Sequence, residues 1–227
     1  MKFSKLLWLI GVATLALSLS ACSNSSSADD SFNAAAVCPA EGLNDYGEPN
    51  RGTFMDARDG QEYKYVTIGN QVWMAENLNY DDGSRCADSV CAKGRIYAMK
   101  SALNVCPMGW HLPSYEEWLT LFGNVGGIDS AGLRLKATAG WISLNPGWGS
   151  NGTDDCGFAL LPIPASTIAG NNVYDKNKRD GYIAFVWTSS LLNDYTMYAP
   201  LFETQRLDVR IEYYYTGDYL PVRCVKD

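Results

Sequence analysis

The chain has 227 residues, of which 47% are hydrophobic and 19% are charged; it can therefore bury a core, which excludes wholesale disorder, collagen and coiled coil. Its 18 basic and 25 acidic side chains leave a formal net charge of −7, which argues against binding to nucleic acid through charge alone. The single histidine, His111, is too few for multi-histidine metal sites or for an acid–base pair of two imidazoles.

Residues 1–21 read as the signal peptide of a lipoprotein. Lys2 and Lys5 precede an apolar run, Leu6 to Leu19, that is too short to span a bilayer. The run leads into Leu19-Ser20-Ala21-Cys22, which resembles the bacterial lipobox, whose cysteine is acylated and becomes the new N-terminus. The alternative is an ordinary signal peptide with a chance cysteine. We expect acyl chains, palmitate among them, on Cys22, anchoring the chain to a membrane without a transmembrane helix.

Residues 22–37 are predicted to be a flexible tether. The run from Ser23 to Val37 has almost no apolar side chain large enough to pack, so it cannot offset the entropy of ordering. By analogy with lipoprotein sorting, Ser23 after the acylated cysteine favours the outer membrane, and Ala28-Asp29-Asp30 bears a faint likeness to acidic signals for surface export. We therefore expect an outer-membrane lipoprotein, with surface exposure as a further option, carrying one domain over residues 38–227.

The domain opens with a hairpin and continues into helices. Tyr63 to Ile68 and Gln71 to Met74 are β-prone runs on either side of Gly69-Asn70, a two-residue turn signal. Arg95 to Asn104 is alanine-rich and compatible with a helix. Ser114 and Glu117 form a capping box at the start of a helix whose apolar face is Trp118, Leu121 and Phe122 and which Gly123 ends. Asp129 is expected to cap a second helix that ends before Gly140.

The remainder of the chain reads as loops followed by strands. Proline and glycine punctuate a long irregular stretch from Ile142 to Pro164. Strand-like runs follow at Phe185 to Ser189, Tyr195 to Phe202, Leu207 to Tyr215 and Val222 to Val225. Early helices and late strands predict an α+β fold with an antiparallel sheet and long irregular loops.

The cysteines predict disulfides. With Cys22 acylated, six of the seven cysteines remain in an oxidising compartment, where disulfides persist: Cys38, Cys86, Cys91, Cys106, Cys156 and Cys224. Cys86 and Cys91 enclose only Ala87 to Val90, close enough for a local bridge, whereas spacing alone does not pair the other four. A zinc site is the alternative, but the chain has no CxxC pair.

Aromatic side chains beside amides and carboxylates are the candidates for binding a ligand. Sugar rings stack on tryptophan or tyrosine while their hydroxyls bond to Asn and Asp, so Trp148, Asn151, Asp154 and Asp155 have suitable chemistry for a glycan. More aromatic side chains follow at Tyr213, Tyr214, Tyr215 and Tyr219. Their alternative role is structural, with tyrosines alternating between the core and the surface of a strand.

Several segments match a known family as whole phrases. They are Asp59-Gly60-Gln61, Tyr63-Lys64-Tyr65-Val66, Ile68 to Tyr80, Gly94-Arg95-Ile96-Tyr97, Cys106 to Ser114 with Glu117-Trp118, Gly157-Phe158, Leu161-Pro162, Trp187-Thr188-Ser189-Ser190 and Val222 to Asp227. Together they resemble the Fibrobacter succinogenes major paralogous domain. The resemblance covers about residue 52 to the end, and it implies membership of a family that is defined by sequence and has no established activity.

A more distant likeness to C-type-lectin-like and formylglycine-generating-enzyme-like domains suggests the fold. It rests on Gly109 to Ser114 with Glu117-Trp118, and on the later Trp-Thr-Ser-Ser phrase before Val222-Arg223-Cys224. In C-type lectins a cysteine beside the first helices is bridged to one in the last strand, which here implies a bridge between Cys106 and Cys224. The resemblance then leaves Cys38 and Cys156 to pair with each other.

The same resemblance favours binding over catalysis. Formylglycine-generating enzymes need a reactive cysteine pair near the C-terminus, where this chain has only Cys224, so we expect no enzyme of that type and no cofactor. Calcium held by Asp154, Asp155, Asn171 and Asn172 stays an alternative. We expect a non-catalytic domain that binds glycan or cell-wall polysaccharide, and the second hypothesis is a structural envelope protein whose partner is another protein.

Overall fold

The computed structural model describes residues 32–145, 149–164 and 180–227, and these residues form an α+β fold. Cys22 and the predicted signal peptide lie outside the described residues, as does Trp148. No helix among the described residues is long and apolar enough to cross a membrane. The helices there are Ala34–Val37 (α1), Met99–Ala102 (α2), Tyr115–Asn124 (α3) and Ile128–Leu135 (α4).

Five strands form an antiparallel sheet at the centre of the fold, and their order in the sheet differs from their order in the chain. They are Arg51–Met55 (β1), Glu62–Ile68 (β2), Gln71–Met74 (β3), Trp110–His111 (β6) and Val225–Lys226 (β12), in the order β1-β2-β3-β12-β6. The predicted hairpin is confirmed, because Ile68 pairs with Gln71 across a turn in which Gly69 has a φ of 60°. That φ favours glycine, since it carries no Cβ.

The remaining strands form two further antiparallel sheets, so the fold has three sheets where the sequence predicted one. The first has Arg210–Tyr215 (β10), Thr196–Glu203 (β9) and Ile183–Phe185 (β7) in that order, and Leu191–Asn193 (β8) also pairs with β9. The second has Tyr219–Pro221 (β11), Arg95–Ala98 (β5) and Arg85–Cys86 (β4). The strands after residue 180 begin and end at residues other than the predicted ones.

The predicted helix over Arg95 to Asn104 is wrong in its first half. Arg95–Ala98 is strand β5, and only Met99–Ala102 forms a single helical turn. Ile96 and Tyr97 are residues that strands favour, and they pair with Pro221 and Leu220 of β11. Pairing with a segment so distant in the chain outweighs the local helical preference, which is a weak prior.

The helices α3 and α4 begin close to their predicted starts. The capping box is confirmed, since the Ser114 hydroxyl accepts from the Glu117 backbone N–H and the Glu117 carboxylate accepts from the Ser114 backbone N–H. The helix continues past Gly123 to Asn124, one residue further than predicted. In α4, Gly127 is the N-cap, whereas Asp129, the predicted cap, lies in the first turn.

The central sheet separates two hydrophobic cores because β2 buries side chains on both faces. Tyr63 and Tyr65 pack into one core with Met74 and Phe185, whereas Val66 and Ile68 pack into the other. The second core also holds Trp73, Trp118 and Phe158, whose rings meet at centroid distances of 4.8 to 6.0 Å. This edge-on and tilted packing joins the sheet to α3.

Three disulfides link the described cysteines, in the pairs that the sequence analysis expected. Cys106–Cys224 and Cys38–Cys156 each span a sequence separation of 118, and Cys86–Cys91 spans 5. The long bridges tie the middle of the chain to its two ends, whereas the short one closes a surface loop between β4 and β5.

Residues 32–37, which fall within the predicted tether, make contacts with the domain. The ring of Phe32 lies 4.0 Å from the guanidinium of Arg134, and the Val37 carbonyl accepts from the Gly69 backbone N–H. Asn33 caps α1 through its side-chain oxygen, which accepts from the Ala35 backbone N–H.

Candidate functional site

An open cavity of about 510 Å³ lies where four chain segments meet, and Arg223 stands at its floor. The segments are residues 61–64 around the start of β2, residues 75–79 after β3, residues 91–94 before β5 and residues 157–161. Its size falls within the range of small-molecule binding clefts. Most side chains at its wall are polar or charged, so the cavity suits a hydrophilic ligand.

Arg223 is the unusual residue of this cavity, because its side chain is charged yet the residue is only 1% exposed. Its Nε and Nη2 donate to Asn77 Oδ1 at 3.2 and 3.0 Å, and Nη1 donates to the Phe158 carbonyl. The guanidinium carbon also lies 4.4 Å from the centre of the Phe158 ring. Burial lowers the pKa of Arg223 to about 9, so the group still carries its charge at neutral pH.

Asn77 joins Arg223 to the cavity wall. While its Oδ1 accepts from Arg223, its Nδ2 donates to the Lys93 carbonyl at 3.1 Å. Gly94 allows the two segments to approach, because a Cβ there would lie 2.9 Å from the Asn77 Cβ and its φ is 87°. One amide side chain therefore fixes the positions of the cavity floor and of the 91–94 wall relative to each other.

Two other lining residues adopt a left-handed backbone conformation that non-glycine residues rarely take. The φ of Cys91 is 56° and the φ of Ala159 is 52°. Such conformations cost on the order of 1 to 3 kcal/mol each and persist where the surrounding structure holds them in place. Here the bridge to Cys86 holds Cys91, and the Asp154 carboxylate accepts from the Ala159 backbone N–H at 2.7 Å.

His111 lies outside the cavity and bridges two carboxylates. Its Nε2 lies 2.8 Å from Glu117 Oε1, and its Nδ1 lies 2.7 Å from Asp227 Oδ1. Partial burial disfavours the charged imidazolium, but the hydrogen bonds to Asp227 and Glu117 outweigh it and raise the pKa of His111. The Ser114 hydroxyl donates to Glu117 rather than to the histidine, so this cluster holds strands and helix together and does not activate the serine.

This cluster predicts a loss of stability as the pH rises past the ordinary pKa of histidine, about 6.5. Because the folded-state pKa of His111 is raised, its contribution is complete below the unfolded value of about 6.5 and disappears as the pH passes the folded value. Urea unfolding of the wild type between pH 5.5 and 8.5 should show this decline, and His111→Gln should lack it. As His111 is the chain's one histidine, a decline of equal size in His111→Gln would contradict the assignment.

A second surface feature is a group of tyrosines that we call the tyrosine face: Tyr115, Tyr198, Tyr213 and Tyr215. Tyr115 and Tyr198 stack with ring centroids 4.7 Å apart, and Tyr213 lies opposite Tyr198 across the β9–β10 pair. Tyr213 and Tyr215 are 62% and 68% exposed, whereas Tyr214 between them is buried. The alternation predicted for these three tyrosines is therefore confirmed.

The described residues of the predicted glycan site all make internal contacts. Asn151 Oδ1 accepts from the Trp141 backbone N–H at 3.0 Å, Asp154 holds Ala159, and Asp155 lies 3.6 Å from Arg134. None of the three lines the cavity. With Trp148 outside the described residues, a ligand-binding role for this group stays a prediction.

The calcium alternative is likewise untested. Asn171 and Asn172 lie outside the described residues. Within the part of the chain that the structure describes, no three His, Cys, Asp or Glu side chains are grouped as a metal site would need.

The profile of the Fibrobacter succinogenes major domain matches residues 66–226, which is more than two thirds of the chain. The chain belongs to this family. No curated protein and no solved structure matches the chain.

Phrases by which the sequence resembled the Fibrobacter succinogenes major domain meet at the cavity. Glu76 and Asn77, Gly94, Gly157 and Arg223 come from four separate phrases, and all of them line it. Sequence reasoning missed the site because it treated these phrases only as marks of the family. An arginine in an otherwise apolar closing strand, Val222-Arg223-Cys224-Val225, was the available signal.

Proposed function

We propose that this chain is an envelope lipoprotein whose domain binds glycans and does not transform them. The observation that carries the proposal is the polar cavity above Arg223, which has the volume for one or two sugar units. The lipobox-like Leu19-Ser20-Ala21-Cys22 supports attachment to the membrane through Cys22, and Ser23 supports the outer membrane.

The cavity wall offers the hydrogen-bonding groups that sugar hydroxyls use. Amide, ammonium and carboxylate side chains of Gln61, Lys64, Glu76 and Asn79 line it together. Among them, Asn79 Oδ1 is buried and has no hydrogen-bond partner within the described residues. A buried acceptor without a donor costs free energy, so a turn of the Asn79 side chain that brings Oδ1 to a ligand hydroxyl would be favoured.

Two features support binding rather than catalysis. All six cysteines after Cys22 are paired in disulfides, so none of them offers the thiol that formylglycine-generating enzymes use. The serine nearest to His111 donates its hydroxyl to Glu117. A C-type-lectin-like arrangement is part of the proposal, and the bridge from Cys106, beside the first helices, to Cys224, beside the last strand, supports it.

A protein partner is the second candidate, and the exposed apolar side chains around β8, β9 and β10 favour it. Next to the tyrosine face, Leu191 and Tyr195 are 55% and 72% exposed. Exposed apolar patches of this kind often mark protein interfaces.

The test is a glycan array and a pull-down on insoluble polysaccharides with the full-length lipoprotein in detergent, with and without calcium. We expect binding that falls about tenfold in Asn79→Ala, because one buried hydrogen bond is lost, and that is unchanged in the matched control Asn104→Ala. Loss of binding in Trp148→Ala alone would move the site to the loop around Trp148. If the lipoprotein instead retains an envelope protein, loses it on substitution of Tyr213 and binds no glycan, the second candidate would be favoured.

A further inference from the structure

The charge at the floor of the cavity has no carboxylate in direct contact within the described residues. No carboxylate oxygen there lies within 4.0 Å of the Arg223 guanidinium, whose hydrogen-bond acceptors are an amide oxygen and backbone carbonyls. Asp154 and Glu76 act on it from a greater distance. Buried charges in proteins usually touch an opposite charge, so a buried guanidinium without such a contact in the lining of an open cavity favours an anion there.

The other charges at the wall act differently because they face solvent or already have partners. Lys64 is exposed, and Lys93 lies 3.2 Å from Asp180. Glu62 accepts from the Thr53 hydroxyl and Glu76 accepts from the Lys64 backbone N–H. Since charges in water are screened much more strongly than buried ones, Arg223, which is 1% exposed, has the least screened positive charge in the lining.

The chain as a whole is acidic, with a formal net charge of −7. An acidic polymer would be repelled by most of this surface, so its binding requires a positive site such as this one. Asn79, which lines the same cavity, has a side-chain oxygen without a hydrogen-bond donor among the described residues. A ligand that presents a carboxylate and a hydroxyl close together satisfies both groups.

We propose that the glycan bound in this cavity is an acidic one, whose uronate carboxylate lies over Arg223 and beside Lys64 while a hydroxyl of the same sugar donates to Asn79. This inference rests on the proposed function and specifies the substrate class. A neutral glycan in the same place would bring no carboxylate into contact with the buried guanidinium.

The experiment compares matched pairs of glycans on the full-length lipoprotein in detergent. Each acidic probe, with tetragalacturonate as the first, is measured beside the same oligosaccharide with its carboxyl groups reduced to hydroxymethyl groups. We expect the acidic form to bind about tenfold more tightly at low salt and to lose most of this advantage at high salt. Lys64→Gln should reduce the advantage, whereas Lys100→Gln, an equal change of charge on exposed α2, should not.

The outcomes separate the two proposals. Equal binding of the acidic and reduced forms, or an advantage that Lys64→Gln and Lys100→Gln leave alike, overturns the acidic ligand but keeps the glycan-binding function. Absence of binding to every acidic and neutral glycan overturns both. Because Arg223→Gln is expected to disturb folding, the thermal unfolding of that variant is measured first. The comparison of Lys64→Gln with Lys100→Gln, both at exposed positions, decides whether the ligand is acidic.

Discussion

Removing the bridge between Cys106 and Cys224 is expected to lower the free energy of unfolding by about 5 kcal/mol, the largest effect we expect for this domain and one that only the equally long Cys38–Cys156 bridge should match. The two cysteines are 118 residues apart, so the bridge removes a large part of the conformational freedom of the unfolded chain. Urea unfolding of the Cys106→Ala, Cys224→Ala double variant, followed by tryptophan fluorescence, measures the loss.

The short bridge is the matched control. Cys86 and Cys91 are only 5 residues apart, and the same entropy argument gives about 2 kcal/mol for their removal. Equal losses for the two double variants would contradict the argument, because the loop lengths would then have no influence. The tyrosine face and His111 cluster should be unaffected by the control.

Asn77→Ala is expected to cost about 3 kcal/mol of stability, the second largest effect, because it leaves a buried guanidinium without its main acceptor. Arg223 donates twice to Asn77 Oδ1, and the same side chain holds the Lys93 carbonyl. Both the floor and one wall of the cavity therefore depend on it. Thermal and urea unfolding measure the loss, and glycan binding should fall with it.

Asn104→Ala is the control for this variant because Asn104 is exposed after α2, and its removal should change stability by less than about 0.5 kcal/mol. If Asn77→Ala were no more costly than Asn104→Ala, Arg223 would have sufficient partners without Asn77. The importance that we give to this amide would then be refuted.

Features that depend on neighbouring residues could be predicted from the sequence. The capping box of α3 requires only Ser114 and Glu117, and the hairpin requires only the turn at Gly69 and the runs beside it. The interactions that form each of them lie within a few residues of sequence, so the local sequence is enough to predict them.

Features decided by distant partners could not be predicted in this way. The segment Arg95 to Ala98 reads as helix until β11 is placed beside it, more than a hundred residues later. Likewise β12 lies between β3 and β6, a position that no local pattern indicates. The long disulfides were expected only because a resemblance to another family implied one of them.

The candidate site was the least predictable part. Arginine is rarely buried, so the one signal, an arginine within the apolar run Val222 to Val225, does not by itself predict that Arg223 lies 1% exposed beneath a cavity. The loop chosen for its chemistry, with Asn151, Asp154 and Asp155, uses these side chains to hold its own backbone and that of its neighbours. Polar residues in loops often serve such local hydrogen bonds, and composition does not distinguish them from ligand-binding ones.

Because the cavity gathers its lining from residues as far apart as Gln61 and Arg223, a fragment that lacks either end of this span has an incomplete cavity. The cavity is complete only once β12 has docked between β3 and β6. If the cavity binds a ligand, copies that have lost part of this span or are incompletely folded would not bind it. Binding would therefore select the completely folded protein.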